Sequence, residues 1–322
     1  MPEGLEEFFS KYKLHEESVS YLRETAPGIQ GHGSSFSVDE VRASAIDSSK
    51  KYGGEVEFEG SVKEFKVPSF STSEGVPVTV IKSRTCKPRT PIVVYFHGGG
   101  FVAGSRETDE PITKQLAREG ECIFVNVEYR LAPENKFPAP FEDAKCVLRW
   151  VIMNKSLIGG MNDSKVGVLG VGVGGTIAAT VCQEVPSIAF QILVYPLLDL
   201  RFGQPSCQEF SDGPLTAKKF LEWGTTLFLN DNTESENQRA SPLLRPSFTK
   251  VPPLLVILAD VDPLKDQGYE YKRLLKDSGI DAESLLVRGS VHGFFTFPGH
   301  FKELGTKAQE KVVNYIKKRG SS

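Results

Sequence analysis

The feature that most constrains this chain is an alternation of short apolar runs with amphipathic, helix-like segments. The apolar runs predict strands at residues 76–82, 92–96, 122–127, 166–169, 190–194, 254–259 and 284–287. Helical periodicity between and after them predicts helices at residues 141–152, 176–183, 269–276 and 301–318. Apolar strands that alternate with helices are typical of a mostly parallel sheet covered by helices on both faces. We therefore expect an α/β fold.

Two segments depart from this alternation. The first 50 residues are helical in pattern, with amphipathic stretches at 5–12 and 18–23. Ser37, with Glu40 three residues on, forms a capping-box pattern for a helix that runs towards Lys51. Between about residues 201 and 248 the strand pattern lapses, although residues 217–229 are helical in pattern. We expect one domain over residues 1–322, with a cap formed by about 1–50 and 201–248.

Charge and cysteine content exclude several classes of function. The net charge of −3 provides no electrostatic basis for binding nucleic acid or an anionic membrane. No apolar run approaches the roughly 18 residues of a membrane span, and the acidic N-terminus lacks the apolar region of a secretory signal. The five cysteines are odd in number and form no CxxC pair. We therefore expect reduced thiols and a cytoplasmic protein.

A first candidate site directly follows the strand predicted at residues 92–96. The sequence there is His97-Gly98-Gly99-Gly100-Phe101. Glycines let a backbone approach a ligand closely and can leave N–H groups free to point at an anion. The alternative interpretation is a tight turn that merely ends the strand.

The second candidate site is Gly170-Val171-Gly172-Val173-Gly174-Gly175, between a predicted strand and a predicted helix. As G-x-G-x-x-G it fits the dinucleotide-binding fingerprint, with Asp199 as a rough candidate for the acid about 20 residues further on. As a strand–turn–helix elbow it fits the G-x-S-x-G position of α/β-hydrolases, with glycine where serine should stand. A tight turn without a functional role is the third interpretation.

The third candidate site pairs Asp262 with His292, each just after an apolar strand. Residues at strand ends reach the carboxyl edge of a parallel sheet, where ligands of α/β proteins bind. An acid followed by a histidine is also the tail of the Ser…Asp…His order.

Taken together, these sites and the motifs that link them resemble one family. The resemblance covers about residues 92–294 and rests on the following motifs: His97-Gly98-Gly99-Gly100-Phe101 with Gly104-Ser105, Tyr129-Arg130-Leu131-Ala132-Pro133-Glu134 with Phe137-Pro138-Ala139, Tyr195-Pro196, Ser241-Pro242-Leu243, Asp262-Pro263-Leu264-Lys265-Asp266 and His292-Gly293-Phe294. The chain is similar to the hormone-sensitive-lipase-like carboxylesterases, α/β-hydrolases that include arylacetamide deacetylases and plant carboxylesterases. This resemblance implies an α/β-hydrolase fold and makes the dinucleotide match coincidental.

The chain departs from that family at its centre. The family elbow is similar to Gly-Asp-Ser-Ala-Gly-Gly, so Gly172 stands at the position of the nucleophile serine, flanked by Val171 and Val173. The resemblance implies that His292 and Asp262 form a retained dyad, and that Gly98, Gly99, Gly100 and Val173 contribute an oxyanion hole. As substitutes for the serine, the candidates are Ser105, Thr176 and Cys182, none of which stands at the apex of the elbow.

We interpret the chain as a catalytically impaired carboxylesterase homologue, or pseudo-esterase. The expected partner is a small apolar carboxylate, ester or carbonyl compound in the former active site; no cofactor or metal is expected. One alternative is a non-hydrolytic enzyme, a lyase, dehydratase or cyclase, that uses the dyad and the oxyanion loop. A second alternative is a weak carboxylic ester hydrolase in which His292 activates water.

Overall fold

The computed structural model describes residues 5–30, 37–211 and 217–320, and a single eight-stranded sheet organises them. The strands are β1 (Gly60–Val67), β2 (Val76–Ser83), β3 (Ile92–Phe96), β4 (Ile123–Val127), β5 (Val166–Val171), β6 (Phe190–Val194), β7 (Leu254–Val261) and β8 (Ala282–Val291). Their spatial order is β1-β2-β4-β3-β5-β6-β7-β8. β1 pairs antiparallel with β2, and β2 with β4, while all the remaining pairs are parallel. The predicted α/β fold with a mostly parallel sheet is confirmed.

Ten helices accompany the sheet in the described part of the chain. They are α1 (Leu5–Tyr12), α2 (Glu16–Gln30), α3 (Val38–Tyr52), α4 (Glu110–Gly120), α5 (Ala139–Met153), α6 (Val173–Glu184), α7 (Pro205–Glu209), α8 (Ala217–Phe228), α9 (Lys265–Asp277) and α10 (Leu304–Gly320). Two short 3-10 helices occupy Asn232–Glu236 and Pro242–Leu244.

Alternate residues of the central strands point to opposite faces of the sheet and belong to two separate hydrophobic clusters. Val94 joins a cluster that includes apolar side chains of α5, α6 and α9. Val93 and Tyr95 join a cluster that includes apolar side chains of α1, α4 and α10. All five residues of β3 are buried, because helices cover both faces of a parallel sheet. The sheet is therefore the rigid base from which the loops at its carboxyl edge extend.

Among the elements that escaped prediction from the sequence, β1 and α4 did so for identifiable reasons. β1 lies at the edge of the sheet, and its mostly exposed residues include Lys63, Glu64 and Lys66, so it lacks the apolar run of a buried strand. α4 begins with Glu110-Pro111, and its apolar residues are interspersed with charged ones.

The helix predicted after Ser37 has the expected bounds but not the expected cap. α3 begins at Val38 and ends at Tyr52, just before Gly53. The side chain of Ser37 makes no capping hydrogen bond, so the bond expected from the serine of the capping box is absent. Among the described residues, no helix is long and apolar enough to cross a membrane.

Candidate active site

Gly172 forms the sharp turn between β5 and α6. Its φ of 55° and ψ of −116° lie in a region of backbone conformation that residues other than glycine rarely adopt. Its N–H donates to the Val194 carbonyl at 3.0 Å, while its own carbonyl accepts from the N–H groups of Gly175 at 3.0 Å and Leu197 at 3.1 Å. The turn is therefore held by its backbone and does not depend on a side chain at this position.

A side chain at the elbow would point at a histidine. Among the described residues, and apart from its chain neighbours, a Cβ built on Gly172 has one atom within 4 Å, Nε2 of His292, at 3.8 Å. An atom attached to that Cβ is therefore within reach of the imidazole. This is the relation between a nucleophile and its base in the Ser-His-Asp arrangement.

His292 and Asp262 follow β8 and β7, respectively, and lie in direct contact. Nδ1 of His292 is 2.8 Å from Oδ2 of Asp262, and the carboxylate is fully buried. The other carboxylate oxygen accepts from the Leu264 N–H at 2.8 Å. Because an ionised carboxylate only accepts hydrogen bonds, we assign the Nδ1 proton to the contact with Asp262. Nε2 of neutral His292 then carries a lone pair.

Tyr195, which ends up beside His292, was noticed in the sequence only as part of a motif. It directly follows β6, is 2% exposed, and its ring centroid lies 4.5 Å from that of His292. Burial raises the pKa of its phenol well above the usual value. Tyr195 is therefore a neutral ring that supports one side of the imidazole.

The glycine loop follows β3 and presents backbone N–H groups. Gly99 and Gly100 have φ values of 114° and 64°, and within the described chain no hydrogen bond from either N–H is seen. Val173, the first residue of α6, has an N–H without an acceptor inside the helix. Backbone donors of this kind can hold the oxygen of a carbonyl or an oxyanion.

His97 anchors the glycine loop through contacts of its ring and its carbonyl. Its Nδ1 is 2.7 Å from the Gly98 carbonyl, and burial lowers its pKa, which favours the neutral ring. Tyr129 stacks on this ring at 4.2 Å between centroids and donates to the His97 carbonyl at 2.7 Å. The histidine of the glycine motif is therefore structural.

A cavity of about 810 Å³ brings most of the predicted site residues together. Gly98, Gly99, Gly100, Gly172, Val173 and His292 line it, whereas Asp262 lies behind the histidine. Residues of α2, α3 and α8 complete the wall, among them Tyr21, Tyr52 and Phe220. The assignment of these helices to a cap stays a prediction.

The three substitute nucleophiles lie elsewhere, since none is among the residues that line this cavity. Thr176 is buried and donates to the Leu197 carbonyl. Cys182 is buried, which raises the pKa of its thiol. The Ser105 hydroxyl accepts from the N–H groups of Glu107 at 3.2 Å and Thr108 at 3.1 Å.

Asp199, the acid considered for a dinucleotide site, is already paired. Nε of Arg201 donates to Oδ1 at 2.9 Å and a second guanidinium nitrogen donates to Oδ2 at 2.8 Å. It does not line the cavity. The ion pair with Arg201 gives Asp199 a structural role that requires no nucleotide.

Asp109, by contrast, lines the cavity although sequence reasoning missed it. It immediately precedes α4, and its Oδ2 accepts from the Tyr95 hydroxyl at 2.6 Å. Burial raises the pKa of this carboxyl. The sequence offered no sign of it, because one aspartate in a polar loop resembles an ordinary helix start.

The sheet, the elbow and the dyad define an α/β-hydrolase. A profile of the alpha/beta hydrolase fold matches residues 93–296. Carboxylesterase NlhH of Mycobacterium tuberculosis is 32% identical over 230 residues, which span 69% of this chain and 72% of that protein.

Solved structures agree over nearly the whole chain. An ester hydrolase from the metagenome of Lake Arreo has a TM-score of 0.89 at 27% identity, covering 96% of this chain and 100% of that one. A hyperthermophilic esterase of Pyrobaculum calidifontis has a TM-score of 0.87 at 31% identity, covering 95% and 98%. The chain belongs to the hormone-sensitive-lipase-like carboxylesterase family of α/β-hydrolases.

Proposed function

We propose that this chain is a carboxylesterase homologue without a nucleophile, which binds a small apolar carbonyl or carboxylate compound in the former active site. The observation that carries the proposal is the position of Gly172. The Cβ it lacks would lie 3.8 Å from Nε2 of His292, where the serine of the mechanism would bond to its base.

Glycine at this position removes the covalent step. Without an oxygen at the elbow, no acyl-enzyme forms there, and none of Ser105, Thr176 and Cys182 lines the cavity. Loss of a catalytic serine costs on the order of 10⁶ in kcat where the triad works as a unit. The roughly 10³–10⁴ of acceleration left to the oxyanion hole and binding is too small for an efficient esterase.

The features that favour binding are retained. The N–H groups of Gly99, Gly100 and Val173 are available to a carbonyl oxygen. The cavity of about 810 Å³ falls within the range of roughly 300–1,000 Å³ usual for small-molecule sites. Aromatic rings of Tyr52 and Phe220 line its wall.

Turnover of p-nitrophenyl butyrate tests the proposal. We expect the native protein to show at most the slow turnover left to the oxyanion hole and binding. Gly172→Ser or the triple variant Val171→Asp/Gly172→Ser/Val173→Ala should recover efficient turnover. A fluorophosphonate probe should label only the variants that carry the new serine. Efficient native turnover that His292→Ala abolishes would overturn the proposal.

A second candidate function is non-hydrolytic catalysis, and one observation favours it. The contact between His292 and Asp262 is intact at 2.8 Å, so Nε2 is a potential general base at the cavity wall. Mass spectrometry of a compound before and after incubation with the protein discriminates the two candidates. A bound compound that is recovered unchanged supports binding, whereas a chemically altered one supports catalysis.

A further inference from the structure

The carboxyl group of Asp109 is an acidic group in the cavity that neither the dyad nor the glycine loop uses. It lines the same cavity as Gly172 and His292. Tyr95 donates to Oδ2 at 2.6 Å, the Thr108 hydroxyl lies 3.4 Å from Oδ1, and His97, whose burial favours the neutral ring, is close enough to interact electrostatically. Among the described residues, no lysine or arginine forms an ion pair with it. Asp109 is partly buried, and because desolvation penalises the charged form, a carboxylate there is stabilised by a cationic partner.

Asp109 does not serve the helix that it precedes. It occupies the N-cap position of α4, where an aspartate usually accepts a hydrogen bond from the first turn. Its side chain makes no such bond here. The carboxyl group bonds instead with Tyr95, whose hydroxyl satisfies only one of its two oxygens well.

The other described residues of the cavity wall do not provide a cationic side chain that pairs with Asp109. Lys51 is the one lysine or arginine among the described residues that line the cavity, and its Nζ lies 2.7 Å from Glu24. Glu40 and Asp47 also line the wall. The buried Asp262 lies behind His292. Among the described residues that line or back the cavity, acidic side chains therefore outnumber lysine and arginine.

We propose that Asp109 selects an amine-bearing compound, whose ammonium group pairs with this carboxylate while the apolar body occupies the aromatic part of the cavity. This inference rests on the proposed binding function and, within the ligand class proposed there, favours a carbonyl compound that bears an amine over a carboxylate. An ammonium group supplies the charge that the site lacks. A carboxylate would instead meet Asp109 without a free cation to pair with.

Three probes with the same phenylpropyl body and different head groups test the inference: phenylpropylamine, phenylpropanol and phenylpropionate. Their binding to the full chain is measured by calorimetry at neutral pH. We expect the amine to bind at least about tenfold more tightly than the alcohol, the usual gain of a charge-assisted hydrogen bond, and the carboxylate to bind most weakly. Equal binding of amine and alcohol, or tighter binding of the carboxylate, would overturn the inference, as would undetectable binding of the amine.

Three variants separate the role of the charge from a structural role. Asp109→Asn removes the charge, and we expect the amine and the alcohol then to bind within about threefold of each other. Tyr95→Phe keeps the carboxylate, so the preference for the amine should persist even if the protein is less stable. Asp163→Asn is the matched control, because Asp163 pairs with Arg89 at 2.8 Å and precedes β5, at the opposite edge of the sheet. An amine preference that persists in Asp109→Asn contradicts the inference.

None of the probes contains an ester. The ranking of their affinities is therefore independent of hydrolysis. Failure of the proposed function would appear separately, as efficient native turnover of p-nitrophenyl butyrate.

Discussion

Replacement of Gly172 by alanine measures the conformational strain at the elbow. In the part of the chain that the structure describes, a Cβ at this position approaches Nε2 of His292 at 3.8 Å, an ordinary van der Waals contact, and no other atom beyond its chain neighbours within 4 Å. The new methyl group therefore fits, and the cost comes from the backbone, whose φ is 55°. A residue other than glycine held in such a conformation costs about 1–3 kcal/mol. We expect Gly172→Ala to destabilise the protein by that amount.

The corresponding change in melting temperature is measurable. Unfolding entropy of about 2.1 cal/mol/K per residue over 322 residues amounts to roughly 0.7 kcal/mol/K, so the expected decrease is about 1.5–4.5 °C. Gly172→Ser should show a smaller decrease, because its hydroxyl can bond with His292 and a net hydrogen bond contributes about 1 kcal/mol. Differential scanning calorimetry provides the measurement.

Two other glycines are matched controls for this measurement. A Cβ at Gly279 or at Gly203 meets no described residue beyond its chain neighbours within 4 Å, but φ is 77° at Gly279 and lies outside the positive region at Gly203. Gly279→Ala should therefore lower the melting temperature as Gly172→Ala does, whereas Gly203→Ala should leave it unchanged or slightly raised. An unchanged or higher melting temperature for Gly172→Ala, beside a decrease for Gly279→Ala, would refute the strain argument.

Two further predictions concern acid stability and thiol reactivity. The bidentate bond from Arg42, at 2.7 and 2.8 Å, lowers the pKa of Glu134 to about 2; this pair stabilises the fold above the unfolded pKa and loses that contribution as pH falls from about 5 towards 2. Since Glu134 is 55% exposed, Arg42→Met should lower the unfolding free energy by no more than about 1 kcal/mol at neutral pH, and urea titrations should show this difference shrinking in acid. Iodoacetamide at about pH 8 should modify Cys146 in the native protein and spare Cys122 and Cys182, because burial excludes the reagent and raises the pKa of both thiols; peptide mapping that finds either buried cysteine modified first would contradict this.

The sequence predicted the centre of the sheet better than its periphery. The predicted bounds of β3 and β6 match the structure, because every residue of these strands is buried and the apolar run has the length of the strand. α6 begins at Val173, three residues before the predicted start. Gly174 and Gly175 have low helix propensity, but a Cβ at Gly174 would lie 2.1 Å from the Phe96 carbonyl. Close packing of α6 on β3 therefore requires glycine where propensity argues against a helix.

Site residues that belong to a recognisable sequence motif could be predicted. Residues that reach the site only through the path of the folded chain could not. Asp262 and His292 follow neighbouring parallel strands, so their contact follows from strand order. The position of Asp109 depends on how the loop between β3 and α4 passes over Tyr95. No local pattern encodes that path. Tyr195 meets His292 only because β6 lies two strands from β8 in the sheet.

The contacts that hold the elbow, the dyad and the glycine loop do not involve a side chain at position 172. Backbone hydrogen bonds to Val194 and Leu197 hold Gly172, the Leu264 N–H holds Asp262, and Tyr129 holds the glycine loop through His97. A serine at position 172 would therefore meet His292 and the backbone N–H groups of the glycine loop already in place, at the cost of the strained backbone conformation. This independence explains how a chain of this family can combine an ordered dyad with a glycine elbow. It also makes the serine variants a direct test, because they supply the nucleophile without requiring the surrounding site to be rebuilt.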